Sequence, residues 1–167
     1  MPVDGFDLEI SWSGFTKLKA RPQGSDGDGY TSAAYQSNNI QPARGEGKAI
    51  VVKSADIVIS LDAKQSWVVQ DKMNAELLKH EQGHYDITAL GARELYAGLF
   101  KLKAKDVKSL GDDVKELSRR IQRKINTINN RYDNQTDHSK IKAEQEKWNR
   151  AIASEKQKPN GSLDSLP

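Results

Sequence analysis

From Asp71 to Lys103 the chain contains no proline, and Leu77, His80, His84, Ile87 and Gly91 fall on one stripe at alternating spacings of three and four. That period is helical, so the segment predicts a long amphipathic helix. Its stripe ends on a glycine, which suits close approach of another element. Two of the three histidines lie on this stripe, within His80-Glu81-Gln82-Gly83-His84. Imidazoles four residues apart project from one helical face on successive turns, so both reach one Zn²⁺. The Glu81 between them is placed to take a proton from a water that the ion holds. Gly83 costs about 1 kcal/mol of helix propensity relative to alanine, which a backbone or substrate passing close above would explain.

The 167 residues include no cysteine. A disulfide framework, thiolate zinc ligation and a cysteine nucleophile are therefore excluded, and any metal must be held by His, Asp, Glu or Tyr. The net charge of +3 is mildly basic. Arg119, Arg120, Arg123, Lys124 and Arg131 alternate with an apolar stripe on one predicted helix, so they read as its solvated face. Nucleic acid is not the expected partner. No run approaches the ~20 apolar residues of a membrane span. Met1-Pro2-Val3-Asp4 leads straight into strand-like sequence without a hydrophobic signal segment. The expectation is a cytoplasmic chain, or a periplasmic or secreted one whose exporting segment was trimmed. Oligomeric state is not readable.

The first sixty residues read as β. Phe6, Leu8, Ile10 and Trp12 alternate with polar residues, the period of a half-buried strand. Thr31 to Gln36 is a weaker strand, Pro42 to Gly47 a turn, and Ile50–Val52 and Ile57–Leu61 two further strands. An antiparallel sheet of about three or four strands is the economical reading. A second helix is expected over 112–130, with Val114, Leu117, Ile121, Ile125 and Ile128 inward and Tyr132 one turn on. A third runs over 138–154 and carries Ile141, Trp148 and Ile152. Residues 155–167 are polar with proline and glycine and read as a flexible tail. The fold class is α+β and zincin-like: a small N-terminal antiparallel sheet, a long active-site helix and two further helices. Residues 1–154 make a single domain.

Catalytic zinc keeps three protein ligands and one open position. Leu90 occupies the place of a third motif histidine, and Glu94 lies roughly 15 Å along the helix from His84. If the two long helices pack antiparallel, equal travel back down the second reaches about positions 132 to 136. His138 is then the expected third ligand and Asp133 the fallback, with Asp133 otherwise orienting a ligating imidazole. Tyr132 is the expected donor to a developing oxyanion, with Tyr85 its rival. A peptide substrate would add as a strand along a sheet edge, for which Ile57–Leu61 is the expected strand.

His80-Glu81-Gln82-Gly83-His84-Tyr85-Asp86-Ile87, followed by Tyr132-Asp133-Asn134-Gln135-Thr136-Asp137-His138 and then Gln145 and Trp148-Asn149, resembles a bacterial family predicted to be zinc-dependent proteases of the HExxH type. That family is catalogued chiefly as a domain of unknown function. The resemblance covers about residues 5 to 155 and is specific in the helical half. It implies a zincin-like hydrolase with His80, His84 and His138 as metal ligands and Glu81 as base, and its members are often exported. The expected activity is a zinc metallopeptidase acting on a peptide or protein substrate. The competing readings are a non-catalytic zinc-binding domain, a helical interaction domain, and a zinc amidase acting on a non-protein amide.

Overall fold

The computed structural model describes residues 3–167; residues 1 and 2, where the reading for an exporting segment began, lie outside it. In chain order the strands are β1 (Val3–Asp4), β2 (Thr16–Leu18), β3 (Gly29–Tyr30), β4 (Ala33–Arg44), β5 (Ile50–Leu61), β6 (Trp67–Val69) and β7 (Lys103–Ala104). The helices are α1 (Ala75–Leu99), α2 (Val107–Thr136) and α3 (Lys142–Gln157). The class is α+β. No helix among the described residues is long and apolar enough to cross a membrane.

Along β5, Val52, Ala55, Ile57 and Ile59 are buried while Lys53, Asp56 and Ser60 face out. This half-buried strand pairs antiparallel with β4, and the two expected segments Ile50–Val52 and Ile57–Leu61 are one continuous element. Pro42, expected in a turn, lies inside β4. Register shifts around Gln41, and Asn39 at φ 50, make room for a residue that cannot donate to the ladder. The turn comes later, closed by Gly45 N–H to the Ala49 carbonyl at 2.8 Å.

The expected antiparallel sheet is instead two mixed sheets among the described residues, ordered β1–β5–β4 and β2–β6–β3, with β7 also on β5. β1 runs parallel to β5 and β2 parallel to β6. β4 flanks Ile57–Leu61 on one side and β1 covers Ile57 and Val58 on the other, so the start of that expected substrate edge is already paired; β3 and β4 lie on the outside of their sheets. The segment from Phe6 to Trp12 is not a strand. Phe6 and Ile10 are buried, but Leu8 is exposed, and the Gln82 amide satisfies this backbone from the helix. Gln82 Oε1 accepts from Ile10 N–H at 2.8 Å, and its Nε2 donates to the Leu8 carbonyl at 3.0 Å.

Asn74 caps α1 by accepting from Leu77 N–H at 2.8 Å, and Asp106 caps α2 by accepting from Ser109 N–H at 2.7 Å. Each such cap contributes about 1 kcal/mol. The Asp106 cap starts α2 earlier than the apolar stripe alone implied, and its right-handed helix continues to Thr136. α3 begins at Lys142 rather than His138, and Ile141, outside it, is exposed. Of the basic residues expected on the solvated face of α2, Arg119, Arg120 and Arg123 are exposed, whereas Lys124, paired with Glu94, and Arg131, over the Trp148 ring and donating to the Leu166 carbonyl, are half-buried.

Helices α1 and α2 cross antiparallel, and glycines let them touch. A β-carbon at Gly83 would run into the Tyr132 ring, one at Gly91 into the Ile125 side chain, and one at Gly98 against Leu117. Each step of seven or eight along α1 is matched by seven or eight back along α2. This register sets which residues face each other at the motif end.

Residues 155–167, expected to be a loose tail, are packed. Leu163 and Leu166 are buried. Glu94 accepts from Leu163 N–H at 2.6 Å and from the Ser162 hydroxyl at 2.7 Å. The Arg93 guanidinium donates to the carbonyls of Glu155, Lys156 and Gly161. The polar composition hides a pair of leucines that the α1–α2 groove receives.

Gly91→Ala should lower stability by about 1–3 kcal/mol through overpacking against Ile125, outweighing the helix-propensity gain of about 1 kcal/mol. Gly98→Ala meets only the flexible end of Leu117 at 3.0 Å or more. It should be near neutral. Urea denaturation of the two variants checks the contrast, and equal losses would count against glycine-mediated contact.

Candidate metal centre

The α1–α2 register brings His80 and His84, one turn apart on α1, opposite Asn129 and Asp133, one turn apart on α2. His80 is buried, and the His84 side chain is 13% exposed. His84 Nε2 lies 2.9 Å and His80 Nε2 3.1 Å from the same Asp133 Oδ1. The two Nε2 atoms are 3.2 Å apart. Ligands held at 2.0–2.1 Å around tetrahedral zinc stand about 3.3 Å from one another, so this triangle has the size of one face of such a shell.

Proton bookkeeping shows what the triangle lacks. The Tyr132 hydroxyl donates its one hydrogen to the His80 carbonyl at 3.2 Å. It must therefore accept from Gln145 Nε2, at 2.6 Å. That turns Gln145 Oε1 towards His80 Nδ1, at 2.9 Å, and makes Nδ1 the protonated nitrogen. His84 Nδ1 likewise meets Asn129 Oδ1 at 2.9 Å. Both neutral imidazoles then aim Nε2 lone pairs at a carboxylate oxygen. Three acceptors converge with no donor of their own, and a positive charge belongs among them. His80, His84 and Asp133 are thus a group able to hold a metal ion.

In the metal-free chain a proton fills that role. Burial works against a charge on His84, but the Asp133 hydrogen bond and charge, helped by Glu81 and Asn129, outweigh it and push its pKa up to about 9. Burial alone would raise the Asp133 carboxyl. Hydrogen bonds from His80 and His84, and their charge, hold it instead well below the usual carboxylate range.

The expected site residues are placed unequally. Glu81 is buried beside His80; its Oε2 accepts from the Thr31 hydroxyl at 2.7 Å, and its Oε1 faces Gly29, where a β-carbon would collide with it. His138, the expected third ligand, stands outside the triangle, with Nδ1 3.4 Å from Asp133 Oδ1. Asp133, the expected fallback, completes the group with His80 and His84, and His138 lines the same cleft beside it. The reason is the length of α2: Asp133 is still helical and faces α1, whereas His138 lies beyond the helix end. There Asp137, His138 and Ser139 all adopt left-handed backbone, at φ 45, 51 and 76. Such conformations cost non-glycine residues roughly 1–2 kcal/mol each. The turn is held by Ile141 N–H to the Thr136 carbonyl at 2.9 Å, and it carries the His138 ring to the rim, against Gly27.

Tyr132 is not the expected oxyanion donor. Its hydroxyl is committed to His80 and Gln145, its ring stacks on His80 at 4.6 Å between centroids, and burial pushes its pKa far up. The Tyr85 hydroxyl donates to the Gly5 carbonyl at 2.8 Å, away from the site. Sequence reasoning assigned no role to Asn129, Gln145 or Thr31. Asn129 lies one helical turn before Asp133, and that spacing is the signal that could have found it. Gln145 stood among the residues that carry the family resemblance but without a role, and Thr31 arrives from a distant segment with no local signal.

The molecule is an α+β protein with a His-His-Asp group, able to hold a metal ion, at the floor of a cleft. The chain belongs to a family described as a bacterial protein of unknown function (DUF922), whose model matches residues 19–139. The matched span includes all three residues of the group. No curated protein matches the chain, and neither does any solved structure.

A pH prediction follows for the metal-free protein. His84 rises from 6.5 to about 9 on folding, so its contribution to stability is whole below about pH 6.5 and lost as pH climbs through 9. Asp133 is shifted down from 3.8, so its contribution is present above that pH and lost in acid. Thermal melts in a chelator should fall from pH 6.5 to 9, while melts in excess zinc should fall less, because the cation replaces the proton. Parallel pH profiles with and without zinc would contradict this assignment.

Proposed function

We propose that this protein is a zincin-like, zinc-dependent metallopeptidase in which His80, His84 and Asp133 hold the ion and Glu81 is the general base. The convergence of three acceptor atoms, with both Nδ1 positions already spent on carboxamide oxygens, is the observation that carries this reading. Imidazole nitrogen with one carboxylate oxygen is a donor set suited to zinc, and three protein ligands leave a position open as catalytic sites do. A long helix carrying the motif beside a mixed sheet is consistent with the zincin-like architecture.

A bound zinc ion supplies Lewis acidity and lowers the pKa of water in its open position to about 7. Everything else is done by the chain. Asn129 and Gln145 fix both ring orientations and tautomers. The Thr31 hydroxyl fixes the Glu81 carboxylate, and the missing side chain at Gly29 leaves its second oxygen room. Glu81 takes the proton of the attacking water as its oxygen bonds to the carbonyl carbon, then passes that proton to the departing amine nitrogen. His138, at the rim beside Asp133, is placed to meet whatever enters.

Glu81→Gln should reduce hydrolysis of unstructured peptides by at least about a hundredfold while bound zinc stays at one equivalent by elemental analysis. His84→Ala should abolish stoichiometric zinc. Asn129→Leu, which removes only the ring's partner, should weaken zinc binding roughly 10- to 100-fold. Zinc retained by His84→Ala would eliminate the metal site. Full zinc with no hydrolysis of any peptide by the wild type would leave a non-catalytic zinc domain.

A further inference from the structure

The metal-site residues line a cleft of about 350 Å³ that takes in Ser25, Asp26, Gly27 and His138 and continues along the α1–α2 pair. Its floor follows His80, His84 and Thr88 on α1. One wall is the α2 face bearing Asn130, Asn126 and Gln122, at successive turns away from Asp133. The opposite wall is the extended chain from Gly29 to Ala33. There β3 uses one edge to pair with β6, and no strand among the described residues pairs with the other. No lysine or arginine lines the cleft, and few fully apolar side chains do.

We propose that this cleft binds the main chain of an extended peptide free of acidic side chains, read by the carboxamides of Gln122, Asn126 and Asn130 rather than by a side-chain pocket. The inference rests on the proposed function for where the reacting bond sits, but not for the binding itself. A carboxamide offers one acceptor and a pair of donors, the complement of a peptide unit. Gln122 Nε2 donates to Asn126 Oδ1 at 2.9 Å. That contact leaves Gln122 Oε1 to accept and Asn126 Nδ2 to donate, side by side on the wall. β3, of Gly29 and Tyr30, lines the facing wall and has one edge without a strand partner among the described residues. The lack of cations disfavours phosphates and acidic ligands, and the lack of an apolar pocket disfavours selection by one large side chain. From Asp133 to Gln122 the wall spans about 16 Å, the reach of about five extended residues.

The test is fluorescence anisotropy with a labelled, uncharged, proline-free eight-residue peptide. It is run on zinc-loaded Glu81→Gln protein and, separately, on wild-type protein in a chelator. Saturable binding is expected, weakened about tenfold, or about 1.4 kcal/mol, by the double substitution Gln122→Ala with Asn126→Ala. Both residues are exposed on α2, so zinc content and melting temperature should not move. A dipeptide amide should bind much more weakly. Unchanged affinity in the double variant overturns the proposal, as does binding of an N-acetylglucosamine tetramer in place of the peptide. One equivalent of zinc without peptide binding sinks this inference alone. Peptide binding that the double variant weakens in chelator, in a protein that never takes up zinc, supports the cleft and sinks the metallopeptidase.

Discussion

The approach of α1 to α2 over Gly83, Gly91 and Gly98 is the contact on which the rest of the structure depends. Close packing of two helices is intolerant of an extra methyl group, so the glycines and the large residues opposite them lock one register. Slip that register by a turn and Asp133 no longer meets both imidazoles. α1 is also covered by the β4–β5 sheet and by α3, which is why Tyr85, Ile87, Ala89, Leu90, Ala92 and Leu95 are all buried on what a surface helix would keep polar. The candidate centre therefore sits on the most enclosed element of the fold.

Enclosure has an electrostatic consequence. His80, Glu81 and most of His84 are withdrawn from water, where unpaired polar groups cost several kcal/mol. The chain meets that cost with a directed network. Polarity starts at the His80 carbonyl, passes through the Tyr132 hydroxyl and the Gln145 amide, and returns to His80 Nδ1. The loop has one consistent direction because a hydroxyl has one hydrogen and a carbonyl none. Gly83 has a role in it as well: the absent side chain is what lets the Tyr132 ring lie against the helix.

Much of the helical half was legible beforehand. The inward stripes of α1 and α2 name mostly buried residues, with Leu77, His80 and Ile87 on α1 and Leu117, Ile121, Ile125, Ile128 and Tyr132 on α2 buried and His84 and Val114 half-buried, because 3.6-residue periodicity is a local property of the chain. Antiparallel travel back along α2 also reached the level at which Asp133 meets the two histidines. The relative placing of Asp133 and His138 was not legible, since it turns on a left-handed turn of three non-glycine residues that composition disfavours. The sheet was read less well. Parallel pairing of β1 with β5 and of β2 with β6 joins segments far apart in sequence, and the alternation of Phe6 to Trp12 arises from packing under Gln82, not from a strand.

By itself the sequence determined the helices, the pairing of His80 with His84 on one face around Glu81, and the absence of any thiol ligand, because each depends on residue type and local spacing. Tertiary structure alone decided that Asp133 joins them, that Gln145 and Asn129 orient the rings, and that the polar tail is held by Arg93 and Glu94. Those outcomes depend on which distant backbones are brought within hydrogen-bonding distance, and that is a property of packing, not of periodicity.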